Sequence, residues 1–281
     1  MRSSWKYWSF GVGLSNARDG ATRRILAIVN QKGGVGKTTT AINLAAALVE
    51  SGKRVLIVDL DPQGNASTGL GIPHSRRVRN SYDLLVKEAT ASSLVQPTTV
   101  ENLAVIPAKG DLSSADVELV SDAGRARRLQ KSLREPELLA AWDYIVIDCP
   151  PSLSLLTVNA MAAADAVLVP LQCEFFAMEG LSQLLTTVKE IRRGLNPALT
   201  VEGVILTMYD RRNNLSELVA NDVRANLGDV VYRTVIPRNV RLSEAPSYAV
   251  PATVYDPTST GSLAYRALAR ELLERGTRSA A

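Results

Sequence analysis

From residue 24 the chain alternates between two hydrophobic patterns. Short runs in which almost every position is apolar recur at Ile25 to Val29, Arg54 to Asp59, Leu103–Ile106, Tyr144–Ile147, Ala166–Pro170, Val201–Thr207 and Val230–Ile236. Most are rich in Val and Ile and lack the strict alternation of a strand with one wet face. They read as strands buried on both faces. Helix-like stretches lie between them, from Lys37 to Glu50 and at about 115–140, 154–164, 179–194 and 214–227. A last one runs from Ser262 to about Arg275, after the Thr258–Gly261 turn. This alternation predicts an α/β protein with a mostly parallel, doubly wound central sheet flanked by helices. No repeat, low-complexity tract or Gly/Ser/Pro linker interrupts it. The expected organisation is a flexible leader over 1–23 and a single domain over 24–281. The leader carries Trp5, Tyr7, Trp8 and Phe10 but no continuous apolar stretch or small-residue cleavage site. A surface-anchoring peptide is the alternative reading for it.

Composition narrows the class. The chain has 281 residues, 46% of them apolar and 21% charged, enough for a sizeable core and unlike a disordered or fibrous chain. The formal net charge of +4 points toward an anionic partner. Its distribution removes that argument for the body of the protein. Residues 1–24 hold five basic residues (Arg2, Lys6, Arg18, Arg23, Arg24) against Asp19, and the other 257 residues hold 27 of each sign. The two cysteines, Cys149 and Cys173, lie in apolar stretches without metal-ligand spacing. They read as reduced core-lining thiols of a cytoplasmic protein. No run of about 18 uncharged apolar residues exists, so no membrane span is expected.

The strongest chemical signal is Q-K-G-G-V-G-K-T-T, Gln31 to Thr39. It follows a strand and opens a helix, the context a phosphate-binding loop requires. Glycines at 33, 34 and 36 let backbone N–H groups turn inward toward phosphate oxygens, and the helix N-terminus adds a favourable dipole. Lys37 would meet the β- and γ-phosphates, and the Thr38 hydroxyl would bind Mg²⁺. Thr39 adds a hydroxyl near the α-phosphate. The nucleotide-binding set read from the loop is therefore Gly33, Gly34, Val35, Gly36, Lys37, Thr38 and Thr39. The loop departs from the common pattern by carrying Gln31 in place of its first glycine and an extra lysine, Lys32.

Carboxylates end two of the expected strands. In V-D-L-D-P-Q-G-N (58–65), Asp59 and Asp61 share one strand face at its C-terminal end. Y-I-V-I-D (144–148) ends at Asp148. Ligands of open α/β sheets bind at that edge. A carboxylate there can orient an attacking water or hold a metal-bound one. Three of them beside the loop point to a nucleotide site.

The stretches 30–48, 55–71, 144–153, 204–210 and 235–247 together resemble the ParA/Soj family of chromosome- and plasmid-partition ATPases. The most specific are D-P-Q-G-N and I-P-R-N-V-R-L-S-E-A-P-S. The match runs in order from residue 24 to about 275. The resemblance implies ATP and Mg²⁺ as ligands and a P-loop NTPase fold. It also implies a nucleotide-sandwich homodimer in which Lys32 reaches the partner's phosphates. Such a cation is worth about 10³–10⁵ in rate. By the same resemblance Lys32, Lys37 and Asp61 are catalytic, Asp61 positioning the attacking water. Thr38, Asp59 and Asp148 act around Mg²⁺, partly through water. Met208, Pro237 and Asn239 flank the adenine. The implied partners are non-specific double-stranded DNA and a ParB-like centromere-binding protein that stimulates hydrolysis, which places the protein at the nucleoid.

Segment 211–241 holds Arg211, Arg212, Arg224, Arg233, Arg238 and Arg241 against Glu217, Asp222 and Asp229. By itself it reads first as a solvated helix face with structural ion pairs. The resemblance assigns it the DNA contacts, with Arg212 and Arg241 as the leading residues. The cluster Arg125, Arg127, Arg128, Lys131 and Arg134 fits a polar helix face or an auxiliary patch. His74, beside Pro73, reads as a surface loop residue. Three rivals stay open. A membrane-cycling ATPase resembling MinD would use a C-terminal amphipathic helix, whereas Leu268, Leu272 and Leu273 here suit a core-packed one. An iron–sulfur ATPase would need cluster cysteines in suitable loops. A DNA-bound regulator would use ATP only as a switch.

Overall fold

The computed structural model describes residues 23–278; the leader expected over 1–23 lies, apart from Arg23, outside them. β1 (Arg24–Ile28) leads into α1 (Lys37–Glu50), and β2 (Val55–Asp59) into the short α2 (Asn65–Gly69). A section with α3 (Ser81–Leu85) and the two-residue β3 (Gln96–Pro97) precedes β4 (Leu103–Ile106). Three short helices, α4 (Ala115–Glu118), α5 (Arg128–Leu133) and α6 (Pro136–Ala141), lead to β5 (Tyr144–Asp148). Regular alternation then follows through α7 (Leu155–Ala163), β6 (Ala166–Gln172), α8 (Ala177–Gly194), β7 (Thr200–Tyr209), α9 (Asn214–Leu227) and β8 (Val231–Pro237). α10 (Val240–Glu244), α11 (Ala252–Tyr255) and α12 (Thr260–Arg278) close the described chain.

The strands form one sheet in the order β3-β4-β2-β5-β1-β6-β7-β8. Every pairing is parallel except β3 with β4. β1, β2 and β5 are buried along their whole length, as unbroken apolar runs require. Alternate residues feed two cores. Ile25, Ala27, Leu56 and Val58 face a layer with Ala160, Leu184 and Val188 of α7 and α8. Leu26, Ile28, Val55 and Ile57 face Leu44 and Leu48 of α1 and Leu268 and Leu272 of α12. The sheet is therefore doubly wound, as the pattern predicts. Leu268 and Leu272 are buried in that second core and Leu273 packs against it, so the apolar face of α12 is spent inside the fold. No described helix is long and apolar enough to cross a membrane.

The expected helix over 115–140 is a correction: the segment breaks into α4, α5 and α6. Asp122 folds back to accept the Gly124 N–H, ending one turn. Pro136 sits at the first position of α6 with Glu135 extended before it (ψ 128°). Proline lacks the N–H that would continue a helix and starts a new one instead. β3 went unanticipated because two residues, one of them proline, carry no period; proline is tolerated there at the sheet edge.

Gly203 in β7 lies where β8 crosses closest. A Cβ there would fall 2.6 Å from the Tyr232 ring and 2.8 Å from the Val230 carbonyl oxygen. Tyr232 is wholly buried and cannot swing aside. Gly203→Ala is expected to destabilise the fold by about 1–3 kcal/mol through overpacking, measurable by chemical denaturation; an unchanged midpoint would show that the β7–β8 contact is slack.

Candidate nucleotide site

The chain order reverses around β1, whose neighbours are β5 and β6, so a crevice opens at the C-terminal strand ends there. The glycine loop fills it. Gly34 (φ 75°) and Gly36 (φ 89°) both adopt left-handed backbone, where a side chain would be strained. Gly36 is also the N-cap of α1 and makes no side-chain cap bond. The leading N–H groups of a 14-residue helix therefore open into the loop. Val35 is buried and anchors the loop, its carbonyl accepting from Thr207 Oγ1 at 2.9 Å. Asn30 braces the other side, donating to the Pro170 carbonyl (2.7 Å) and accepting from the Lys32 N–H (3.0 Å). Lys37 is buried, and its Nζ donates across the loop to the Lys32 carbonyl at 2.9 Å. Burial pulls its pKa down, against the attraction of Asp148, Cys149 and Asp61. Thr38 and Thr39 follow at the helix start, partly buried.

Asp59 and Asp148 are register partners on adjacent strands and are completely buried. Asp59 Oδ2 accepts from the Ser67 N–H (2.8 Å) and hydroxyl (2.6 Å), and Oδ1 from the Asp61 N–H (3.2 Å). Burial still pushes its pKa up to about 6. Neither oxygen of Asp148 has a hydrogen-bond partner among the described residues. Burial first, then repulsion from Asp59, raises its pKa well above the ordinary carboxylate range. The neighbouring Thr38 hydroxyl, and then the Lys37 ammonium, offset part of this. Asp61 sits at the mouth, 8% exposed, with Oδ1 accepting from the Gln63 N–H at 3.0 Å.

The rim holds residues from three further loops. Lys32 points outward, and its Nζ is ion-paired with Glu174 after β6. Nothing in the sequence pattern marks Glu174, 142 positions away. Met208 adopts a left-handed backbone (φ 50°) where the β7–β8 register shifts. Such strain costs about 1–3 kcal/mol and concentrates at functional sites. Pro237 ends β8 opposite Tyr209. Asn239 caps α10, its oxygen accepting from the Arg241 N–H and its amide donating to Thr260.

Arg212 and Arg241 follow β7 and β8, at the same edge of the sheet. Arg212 pairs with Asp210 at 3.1 Å. Arg241 pairs with Glu244 (2.8 Å) and Asp256 (3.3 Å). These three acids lie just outside segment 211–241, so counting within it overstated the local positive charge. In the 125–134 cluster, Arg128 pairs with Glu88 and Asp122, Lys131 with Glu88, and Arg134 with Asp165. Arg125 and Arg127 donate to the Val120 and Gly194 carbonyls. Ion pairs occupy Arg128, Lys131 and Arg134, while Arg125 and Arg127 rest on neutral carbonyls. His74 is exposed in a short helical turn. Cys149 and Cys173 are unbridged and buried, and no group of three His, Cys, Asp or Glu suited to a metal occurs among the described residues.

A glycine loop opening a helix beside buried strand-end carboxylates defines a P-loop nucleoside-triphosphatase. A family model described as an AAA domain matches residues 23–201. The chain belongs to the ParA/Soj family of chromosome-partitioning ATPases. The chromosome partitioning protein ParA of Caulobacter vibrioides is 58% identical over 252 residues, covering 90% of this chain and 94% of that protein. The sporulation initiation inhibitor protein Soj of Bacillus subtilis is 53% identical over 253 residues, covering 90% and 99%. Among solved structures, the cobyrinic acid a,c-diamide synthase of Mycobacterium smegmatis with bound ADP and magnesium superposes with a TM-score of 0.78 at 38% identity, covering 90% of this chain and 95% of that one.

An unpartnered buried carboxylate is a stability cost kept at a site. Its pKa is raised in the folded chain, so the cost is absent below the pKa of an unfolded aspartate, grows as pH rises above that value and levels off once pH passes the folded pKa. Asp148→Asn is therefore expected to stabilise the ligand-free protein by about 1–3 kcal/mol near pH 8, with the gain shrinking toward pH 5. Thermal melts across that range check it; a gain independent of pH would contradict the buried charge.

Proposed function

We propose that this protein is a nucleotide-switched DNA-segregation ATPase. Two ATP-loaded copies pair as a sandwich and bind double-stranded DNA without sequence preference. Hydrolysis to ADP and phosphate, stimulated by a ParB-like centromere-binding protein, resets them. The carrying observation is the juxtaposition of Lys37 inside the loop, Lys32 on its outer rim and three carboxylates behind it.

Lys37 and the N–H groups of 33–39 hold the phosphates. Mg²⁺ fits the remaining donors. Asp148 offers two unsatisfied oxygens and Asp59 lies beside it, while no group of three suitable ligands forms an all-protein cage among the described residues. Mg²⁺ keeps waters and phosphate oxygens in its shell, so Thr38 with water-bridged Asp59 and Asp148 would suffice. When bound, it neutralises charge on the β- and γ-phosphate oxygens. Asp61 positions the water that attacks the γ-phosphorus as ADP leaves. Lys32 exchanges Glu174 for the γ-phosphate of the opposite copy. An exposed ion pair is worth only about 0–1 kcal/mol, so that exchange costs little. Met208, Pro237 and Asn239 border the adenine.

The DNA face is the β7–β8 edge, where Arg212 and Arg241 would trade their carboxylate partners for phosphates. Pairing two copies doubles the contacts, so affinity rises through avidity when ATP is bound. A neutral body with a switchable arginine edge suits release after hydrolysis. The protein would act in the cytoplasm on the nucleoid. Residues 24–281 would act as one domain, with 1–23 as a leader not needed for the switch.

Lys32→Ala is expected to bind ATP yet remain a monomer, as read by analytical ultracentrifugation; an ATP-dependent dimer in that variant would remove Lys32 from its role. Arg241→Glu is expected to keep ATP affinity but lose ATP-dependent co-sedimentation with DNA. Anionic liposomes offered in parallel should bring down neither protein. Undiminished DNA binding at low salt would refute the arginine edge.

A further inference from the structure

We infer that Arg77 is a positioning residue for Asp61, holding the turn that aims its carboxylate at the attacking water; the inference rests on the ATPase reading above. Arg77 belongs to neither the loop nor the strand-end carboxylate motifs. It is 1% exposed, the first among the largest fully buried side chains. A guanidinium stays charged in a protein, and a buried charge ordinarily needs a carboxylate bonded to it. Arg77 has none among the described residues. All five of its N–H groups instead find neutral oxygens. Nε and Nη2 both donate to the Ile72 carbonyl, at 2.9 and 2.6 Å. Nη2 also donates to Thr68 Oγ1 at 2.7 Å. Nη1 is shared between the Gly64 carbonyl (3.2 Å) and the Ala108 carbonyl (3.4 Å).

Those acceptors converge on the Asp61 turn. The Gly64 N–H closes that turn on the Asp61 carbonyl at 2.8 Å. Thr68 belongs to α2, and its hydroxyl donates back to the Gly64 carbonyl at 3.0 Å. The Ala108 N–H donates to Ser67 Oγ, which in turn donates to Asp59. One side chain thus ties together the turn carrying Asp61, the helix that holds Asp59 and the end of β4. The turn has no slack. Gly64 is left-handed (φ 63°), and a Cβ there would lie 2.4 Å from Arg77 Nη1. Lysine would keep the charge but not the planar fork that reaches four acceptors at once. Misplacing a catalytic group by about 1 Å costs about 10²-fold in rate, so loss of the fork should appear in turnover before it appears in binding.

The test compares Arg77→Lys, Thr68→Val and Thr68→Ser with the wild-type protein in ATP hydrolysis with DNA present. Thermal melts and the affinity for a fluorescent ATP analogue are measured alongside. The expected result for Arg77→Lys is a kcat at least about 10-fold lower with KM and analogue affinity within about threefold. Thr68→Val should lower kcat in the same selective way, and Thr68→Ser, which keeps the hydroxyl, should restore it. The Thr68 pair decides the question if Arg77→Lys does not fold. Wild-type kcat in Thr68→Val overturns the inference, as does a proportional loss of kcat and affinity, which a merely structural role predicts. A wild-type protein without ATP turnover would instead defeat the ATPase reading itself.

Discussion

Two carboxylates that end adjacent parallel strands in register, both cut off from water, set the terms for the rest of the site. Asp59 and Asp148 sit side by side at the centre of the sheet. Burial and mutual repulsion oppose their ionisation. Asp59 is relieved by Ser67 and the Asp61 N–H. Asp148 has no hydrogen-bond partner among the described residues and has Lys37 as an attractive cation. Such a pair is tolerable only if something positive is meant to arrive. A ligand that brings a divalent cation and a polyphosphate would convert the penalty into binding energy.

The elements around that pair are arranged to keep it while leaving an entrance. β1 delivers the glycine loop to one side and β2 delivers the Asp61 turn to the other. α1, apolar on nearly every face, is locked between the sheet and α12. Thr40 meets Tyr265 at 3.1 Å, and Asn43 accepts the Ala252 N–H at 2.7 Å. The loop therefore sits on a rigid base. Its outer lysine does not, because Lys32 and Glu174 are both substantially exposed. Tight holding inside and loose holding at the rim is the division of stiffness that the proposed switch would require.

Charge follows the same logic at the arginine edge beyond β7 and β8, the proposed DNA face. The body of the chain balances 27 positive against 27 negative residues beyond position 24. Arg212 and Arg241 carry internal partners, so their charge is held in reserve. In the proposed dimer, two copies would present twice the arginine edge without changing the balance of either.

The sequence by itself determined the layered α/β plan, the glycine loop that opens α1 and the aspartates that end β2 and β5. These are local or periodic signals: an apolar run of five, a glycine triplet before Lys-Thr, an aspartate at a strand end. It misjudged 115–140, where Gly124 and Pro136 outweighed a continuous apolar rhythm. The tertiary structure alone decided which residues keep company. Strand order put Asp59 beside Asp148, 89 positions further along the chain. Chain crossing paired Lys32 with Glu174 and set Asp210, Glu244 and Asp256 against the arginines. Folding also turned Arg77, one arginine among several in a polar stretch, into the buried clamp on the Asp61 turn. Hydrogen bonds and ion pairs act over about 3 Å in space, and contacts between distant segments leave no period in one dimension for a sequence to display.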